Sequence, residues 1–292
     1  MPLRDTPGST ASQGQRTLEG LEGQMRIAPP FALALMSAAL VALASARAQD
    51  MLRFVDLDSP EMKSAEMTNA DLDAMVQSST PGRPLDLSNK RLSGLDLSGR
   101  HLSGAVFRAA KLNRTNLAGA KLDHAVLDQA WLIGADLSDA DLSGASLFGA
   151  QLQRAKLDGA DLSGTRLAAD LSGASLAHAK LANANASADM RNQSMGLMRG
   201  VLKSTDLQGA VLSRANLARA DLSFSILKNA DLTDCNLAGA DLSGADLTGA
   251  KLENTDFSDT DLSSALLPSE ATLRTARNLD KARNLERARH AR

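Results

Sequence analysis

The sequence predicts an all-β solenoid, and three observations predict it. Leucine recurs every five residues, a small residue stands two places before nearly every such leucine, and aromatics are scarce, with one Trp, six Phe and no Tyr in 292 residues. From Leu87 to Leu167, seventeen positions at five-residue spacing hold sixteen Leu and Phe107; from Leu202 to Leu267, fourteen hold thirteen Leu and Phe257. On an α-helix each step of five turns the side chain by ~140°, so no apolar stripe forms. On a flat strand, residues i and i+5 point to opposite faces. The chain must therefore turn once per unit. The small residue and the Leu, two apart, share one side of a short extended piece. Repeated turns of one hand wrap Leu and Ala inside and leave Asp, Ser, Arg and Gly outside, each coil stacking on the last at ~4.8 Å.

The units themselves carry a family resemblance. Ala135–Asp139 (ADLSD), Ala140–Gly144 (ADLSG), Ala155–Gly159 (AKLDG), Ala215–Arg219 (ANLAR) and Ala245–Gly249 (ADLTG) resemble the pentapeptide-repeat family. The resemblance implies a right-handed quadrilateral parallel β-helix with four units per coil, and the residues flanking the run add the expectation of short helical caps at both ends. Between Leu87 and Leu267 this makes about nine coils, or ~43 Å of rod.

Taken in order, residues 1–24 are polar and shapeless, and translation is expected to start at Met25. Residues 25–48 read as a secretory signal peptide: Arg26, an apolar run from Phe31 to Ala46, and small residues Ala46 and Ala48 around Arg47, with cleavage after Ala48. The run is shorter than the ~20 residues of a membrane span, so no retained span is expected and the mature chain is expected to be periplasmic or secreted. Residues 49–84 form an N-terminal extension with a helix over 69–77, Thr68 as its cap and Asp71 three residues on. Thr80, Pro81, Gly82 and Pro84 turn into the β-helix of residues 85–267. Lys90 and Arg100 take the small inward position in the first coil, where a charge is tolerable only near an open end. Pro268 stops the coil, and residues 268–292 form a basic cap or tail in which Leu273, Ala276, Leu279 and Ala282 have helical spacing.

The period breaks once. Leu167 to Leu171 is a step of four, and Leu202 restores the old phase after a stretch carrying Met190, Met195 and Met198, so a kink or protruding loop is expected near 187–200.

No catalytic, cofactor or metal site emerges. The four histidines do not converge, and the single Cys235 falls at an inward small position, where it replaces Ala. The candidates for partner binding are an outward apolar cluster, Val106, Val126, Trp131, Ile133 and Phe148, with Lys111 and Arg91 beneath Trp131 as cation–π partners, and the Met-rich segment with Met190, Met195 and Met198. Asp221, Asp241 and Asp261 stack in one acidic column; because Asn takes the equivalent place at Asn116, Asn216 and Asn236, hydrogen bonding to nearby backbone, not charge, is the expected requirement.

Charge is uneven. Arg83–Ala125 holds eight basic and three acidic residues, Asn229–Leu262 eight acidic and Lys251 alone, and Ser269–Arg292 seven basic and three acidic. Nothing here is basic enough for nucleic acid. The expected function is a non-catalytic exported scaffold, monomer or weak dimer, that binds a protein or envelope component. The alternative implied by the resemblance is a DNA-mimic, topoisomerase-interacting protein of the gyrase-protecting type, which would want a more uniformly acidic rod in the cytoplasm. An outward Thr array for ice binding is absent, since Thr165, Thr205, Thr255 and Thr260 fall inward.

Overall fold

The computed structural model describes residues 55–78, 84–188 and 198–290. In the unit Ala-Asp-Leu-Ser-Gly, the first and third residues point inward, the second forms the ladder, and the last two make the corner. Asp86 bridges to Val106, Arg91 to Lys111, Asp96 to Asn116 and His101 to Lys121, all parallel, so four units close one turn of a right-handed quadrilateral coil. The inward leucines from Leu87 to Leu267 are at most 2 % exposed, which confines the apolar core to the axis of the rod.

Backbone hydrogen bonding explains why each place in the unit takes the residues it does. Leu87 N–H donates to Val106 O at 2.7 Å, Asn89 N–H to Arg108 O at 2.8 Å and Val106 N–H to Leu85 O at 2.8 Å, all between coils, while Lys90 N–H closes the corner on Leu87 O at 3.2 Å. That accounts for four of the five donors, and a buried or half-buried donor left over is costly. Where Asp or Asn stands on the ladder, the fifth, the first corner residue's N–H, takes that side chain two residues back: Ser88 N–H donates to Asp86 Oδ1 at 2.9 Å. The second corner residue turns the chain through the left-handed region, as at Gly94 (φ 77°) and Arg154 (φ 58°), which favours Gly without demanding it.

The N-terminal end is closed by two helices, α1 (Pro60–Lys63) and α2 (Asn69–Ser78). Thr68 N–H donates to Asp71 Oδ2 at 2.8 Å and Asp71 N–H to Thr68 Oγ1 at 3.2 Å, a reciprocal cap. Leu72 is wholly buried on the core. The inward charges of the first coil are paired to this cap: Lys90 Nζ lies 3.0 Å from Glu66, and Arg100 pairs with Asp73. Thr80, Pro81 and Gly82 of the expected turn lie outside the described residues.

At the C-terminal end, helical geometry is limited to short turns. After β1 (Leu266–Leu267), α3 (Glu270–Leu273) is followed by 3-10 turns at Leu279–Lys281 and Leu285–Arg287 and by β2 (Arg289–His290), which pairs in parallel with β1. The continuous helix expected from Leu273, Ala276, Leu279 and Ala282 does not form. Instead, six-residue units, Ala276–Lys281 (ARNLDK) and Ala282–Arg287 (ARNLER), carry the ladders on: Arg277 bridges Asp256 and Arg283 bridges Asp261. A 3-10 turn replaces the two-residue corner and lengthens the unit by one, while Ala276, Leu279, Ala282 and Leu285 still pack inward on the core.

Both pattern breaks fall at the same corner, in adjacent coils. At Leu167–Asp170 a tighter turn, Ala169 N–H to Leu167 O at 2.8 Å, removes one residue, and the ladder continues with Gln151 bridged to Asp170. One coil later the chain leaves at Ala186 and returns at Gly200, whose N–H donates to Ala186 O at 2.8 Å. A Cβ on Gly200 would stand 2.6 Å from that of Ala186, so only glycine closes this stem. All four faces resume across it, Asp170 with Val201, Ser175 with Asp206, Lys180 with Val211 and Asn185 with Asn216.

Candidate interaction surface

With the coil's own needs met at the axis and the corners, outward positions are where this chain can vary. The acidic column is built as the unit requires. Asp221, Asp241 and Asp261 stand on successive rungs, and their carboxylates accept from Ser223, Ser243 and Ser263 N–H at 3.0, 2.9 and 2.9 Å. Asn116, Asn216 and Asn236 accept from Ala118, Ala218 and Ala238 N–H in the same way. Cations meet the two ends of the column: Arg199 lies 3.5 Å from Asp221, and Arg283 lies 4.0 Å from Asp261. Burial pushes the Asp261 carboxyl up, but Asn284, Ser263 and Arg283 together hold it below the ordinary carboxylate range.

The apolar candidates occupy two adjoining faces. Val106 and Val126 are consecutive rungs of one, and Trp131 sits between Lys111 and Gln151 on the next. Ile133 and Phe148 are first corner residues of those faces, and all five are half-buried. Neither aromatic unit has a ladder carboxylate of its own, because Trp131 and Ser146 stand there. Their corner donors borrow an acceptor from the coil below: Ile133 N–H donates to Asn113 Oδ1 at 3.0 Å and Phe148 N–H to Asp128 Oδ1 at 3.1 Å. Among the described residues the cation–π contact forms on Phe148, with the Arg166 guanidinium 3.8 Å from the ring centre, and not on Trp131. Arg91 stands two rungs below Trp131, as expected, and its guanidinium pairs with Glu66 at 3.4 Å. Met198 reaches past the shortened corner to Gly149, where its methyl would stand 3.3 Å from any Cβ. Met190 and Met195 lie outside the described residues, as do residues 25–48, expected to be a signal peptide.

Two apolar side chains escaped the sequence reading. Phe224 and Ile226, 59 % and 40 % exposed, are the large apolar side chains that stand out from the surface among the described residues. The signal was present in the sequence: one follows Leu222 by two and the other precedes Leu227 by one, both outward places.

The remaining chemistry is sparse. His101 is on a ladder, while His124 and His178 lean over Gly144 and Gly209 at separate corners. Cys235 is wholly buried at an inward position, and burial pushes its thiol far up. Among the described residues no group of His, Cys, Asp and Glu is placed to hold a metal ion, and no helix is long and apolar enough to cross a membrane.

A family model described as pentapeptide repeats matches in eight copies, at residues 91–129, 101–139, 125–164, 201–234 and 225–264. These matches flank the two pattern breaks on either side. Among solved structures, HetL, a pentapeptide repeat protein involved in heterocyst differentiation regulation from the cyanobacterium Nostoc sp. strain PCC 7120, is 33% identical over 77% of this chain and 95% of its own, with a TM-score of 0.40. Full-length QnrB1, a plasmid-mediated fluoroquinolone resistance protein, is 18% identical over 69% of this chain and 93% of its own, with a TM-score of 0.56, a likeness of fold. The search of curated proteins finds no match.

Proposed function

The chain belongs to the pentapeptide-repeat family, and on that premise we propose that it is an exported, non-catalytic interaction scaffold whose outward faces bind a protein or envelope partner. The observation that carries this reading is the borrowed acceptor. At Trp131 and Ser146 the unit gives up its own carboxylate, and Asn113 and Asp128 supply the hydrogen bond from one coil below. The chain thus places Trp131 on the ladder and Phe148 at a first corner position, on adjoining faces, in units without a ladder Asp or Asn of their own. Aromatic side chains at such positions are the usual anchors of a protein interface. Export rests on residues 25–48, with Arg26, the apolar run and Ala46 and Ala48. Among the described residues no titratable side chains converge, which favours binding over catalysis. A DNA mimic would want uninterrupted acidic faces, whereas Lys121, Lys156, Lys180 and Lys251 stand 3.6–3.7 Å from ladder aspartates.

The experiment is capture from envelope extract with the full chain and with a Trp131→Ser, Phe148→Ser variant of matching circular dichroism. A partner retained by the first and lost by the second supports the reading; equal capture by both removes the two aromatics from the interface. Protein found uncleaved in the cytosol would overturn export.

A further inference from the structure

We infer that the corner bearing Phe224 docks an extended, arginine-bearing peptide segment with an apolar residue between two arginines; this deepens the scaffold reading and rests on it. The recognition element recurs within the chain. The second corner residue's carbonyl points out of the ladder, and two residues later stands the next ladder carboxylate. Arginine uses this pair three times: Arg199 donates to Arg219 O at 3.2 Å beside Asp221, Arg277 Nε to Asn254 O at 2.9 Å beside Asp256, and Arg283 Nε to Asp259 O at 2.9 Å beside Asp261. A guanidinium fork suits a carbonyl and a carboxylate presented side by side.

The same pair is presented on both sides of the exposed apolar side chains. Ile226 stands on the rung between Asp206 and Asp246, and the corners before those aspartates end in Ser204 and Gly244. Basic side chains are found there too: Lys228 Nζ lies 3.3 Å from Asp246, and the exposed Lys203 precedes Ser204. Phe224 itself is out of place as a corner residue. It sits at φ 59°, where its column elsewhere holds Gly94, Arg114, Gly134, Arg154, Gly173 and Ser204, and a bulky side chain in that region is strained. Its ring lies on the coil above, where a Cβ on Gly244 would be 2.6 Å from Cδ1, so the phenyl is held as a fixed platform with one side to solvent. Two coils separate Asp206 from Asp246, ~10 Å, close to the ~9.3 Å between residues i and i+3 of an extended polyproline-II segment, which returns both to the same side. The segment that fits reads Arg-x-x-Arg, with one of its middle side chains apolar and resting on Phe224 and Ile226. Charge excludes a second copy of this edge, which would set the acidic coils of Asn229–Leu262 against their like.

The test uses the full chain and a fluorescein-labelled Gly-Arg-Leu-Leu-Arg-Gly peptide, with Glu-for-Arg and Ser-for-Leu analogues, read by anisotropy at two salt concentrations. The protein variants are Phe224→Gly with Ile226→Ser, and Asp206→Asn. Glycine relieves the corner, and Asn keeps an acceptor for the Gln208 N–H that Asp206 now takes at 2.9 Å, so both variants fold. Expected is saturable binding, weakened at least tenfold by either variant and by either analogue, reduced by salt, and unchanged by Trp131→Ser, Phe148→Ser. Equal binding to the Phe224→Gly, Ile226→Ser variant, equal binding of the Glu analogue, or no binding of any peptide overturns the inference. Sedimentation showing a dimer lost in that variant would make a second copy the occupant and overturn it too. If the peptide fails while capture still depends on Trp131 and Phe148, the scaffold reading stands and only this site falls.

Discussion

Replacing Gly144 by Ala separates two costs that the corner geometry keeps distinct. Gly144 has φ 66°, and a Cβ there would meet His124 Nδ1 of the coil below at 2.6 Å; Gly99 has φ 63° and nothing within 4 Å. Holding an L-residue in the left-handed region costs ~1–2 kcal/mol, and the stiffer unfolded chain returns ~0.4–1 kcal/mol. Gly99→Ala should therefore destabilise by about 0.5–1 kcal/mol. Gly144→Ala carries the same cost and also drives the imidazole off its rotamer, a further ~0.5–1.5 kcal/mol. Removing the ring should cancel the difference, so that in a His124→Gly background Gly144→Ala costs no more than Gly99→Ala. Urea unfolding followed by circular dichroism gives the four values, and the pairwise term comes from the cycle. Equal costs at the two glycines, or no coupling to His124, would refute the stacking of second corner residues along the rod.

Three further outcomes follow from the coil. Leu147→Ala, at a wholly buried inward position, should cost ~3–4 kcal/mol by lost transfer and the cavity left behind, read as a drop in urea midpoint; a loss under ~1 kcal/mol would mean the axis repacks. Asn113→Ala removes the acceptor of Ile133 N–H and the donor to Met62 O at 3.2 Å, at ~1–3 kcal/mol; early proteolysis ahead of Leu87 would show the N-terminal cap released, and an unchanged cut rate would show it held without Asn113. The Ser138 hydroxyl at Asp136 and the Ser143 hydroxyl at Asp141, with Lys156 and Lys121 adding their charges, hold both carboxyls below the ordinary range against the cost of burial. Since their folded pKa values lie below the unfolded ~3.9, this stabilisation is complete above about pH 4 and is lost as pH falls through the folded values. Thermal midpoints should fall only on the acid side of pH 4; a decline beginning near pH 6 would implicate other groups.

The period of five made the architecture legible because it fits no helix or flat strand. The acceptor role of the acidic column was legible too, since Asn stands at Asn116, Asn216 and Asn236 where charge alone would not allow it. The corner was harder to read. Left-handed backbone is adopted among the described residues by fourteen glycines and twenty other residues, so composition at that place gives a diluted signal. The C-terminal cap misled because a six-residue period of Ala and Leu, as in Ala276, Leu279 and Ala282, also satisfies helical spacing over so short a stretch. Phe224 and Ile226 differ from Val106 and Trp131 in exposure, and exposure depends on what the neighbouring coils place beside them.

Residue-resolved hydrogen exchange tests the central claim, a ladder closed by backbone at four donors in every five and, where Asp or Asn stands on the ladder, by its side chain at the fifth. The account predicts a five-residue rhythm from 87 to 267. Within the unit at Leu142, the amides of Asp141, Leu142, Gly144 and Ala145 should be protected by carbonyls of Ala120, Asp161, Ser163 and Leu142, and that of Ser143, held by the Asp141 carboxylate at 3.1 Å, should exchange faster. Uniform protection along the unit, or a fast amide at the Leu position, would contradict it.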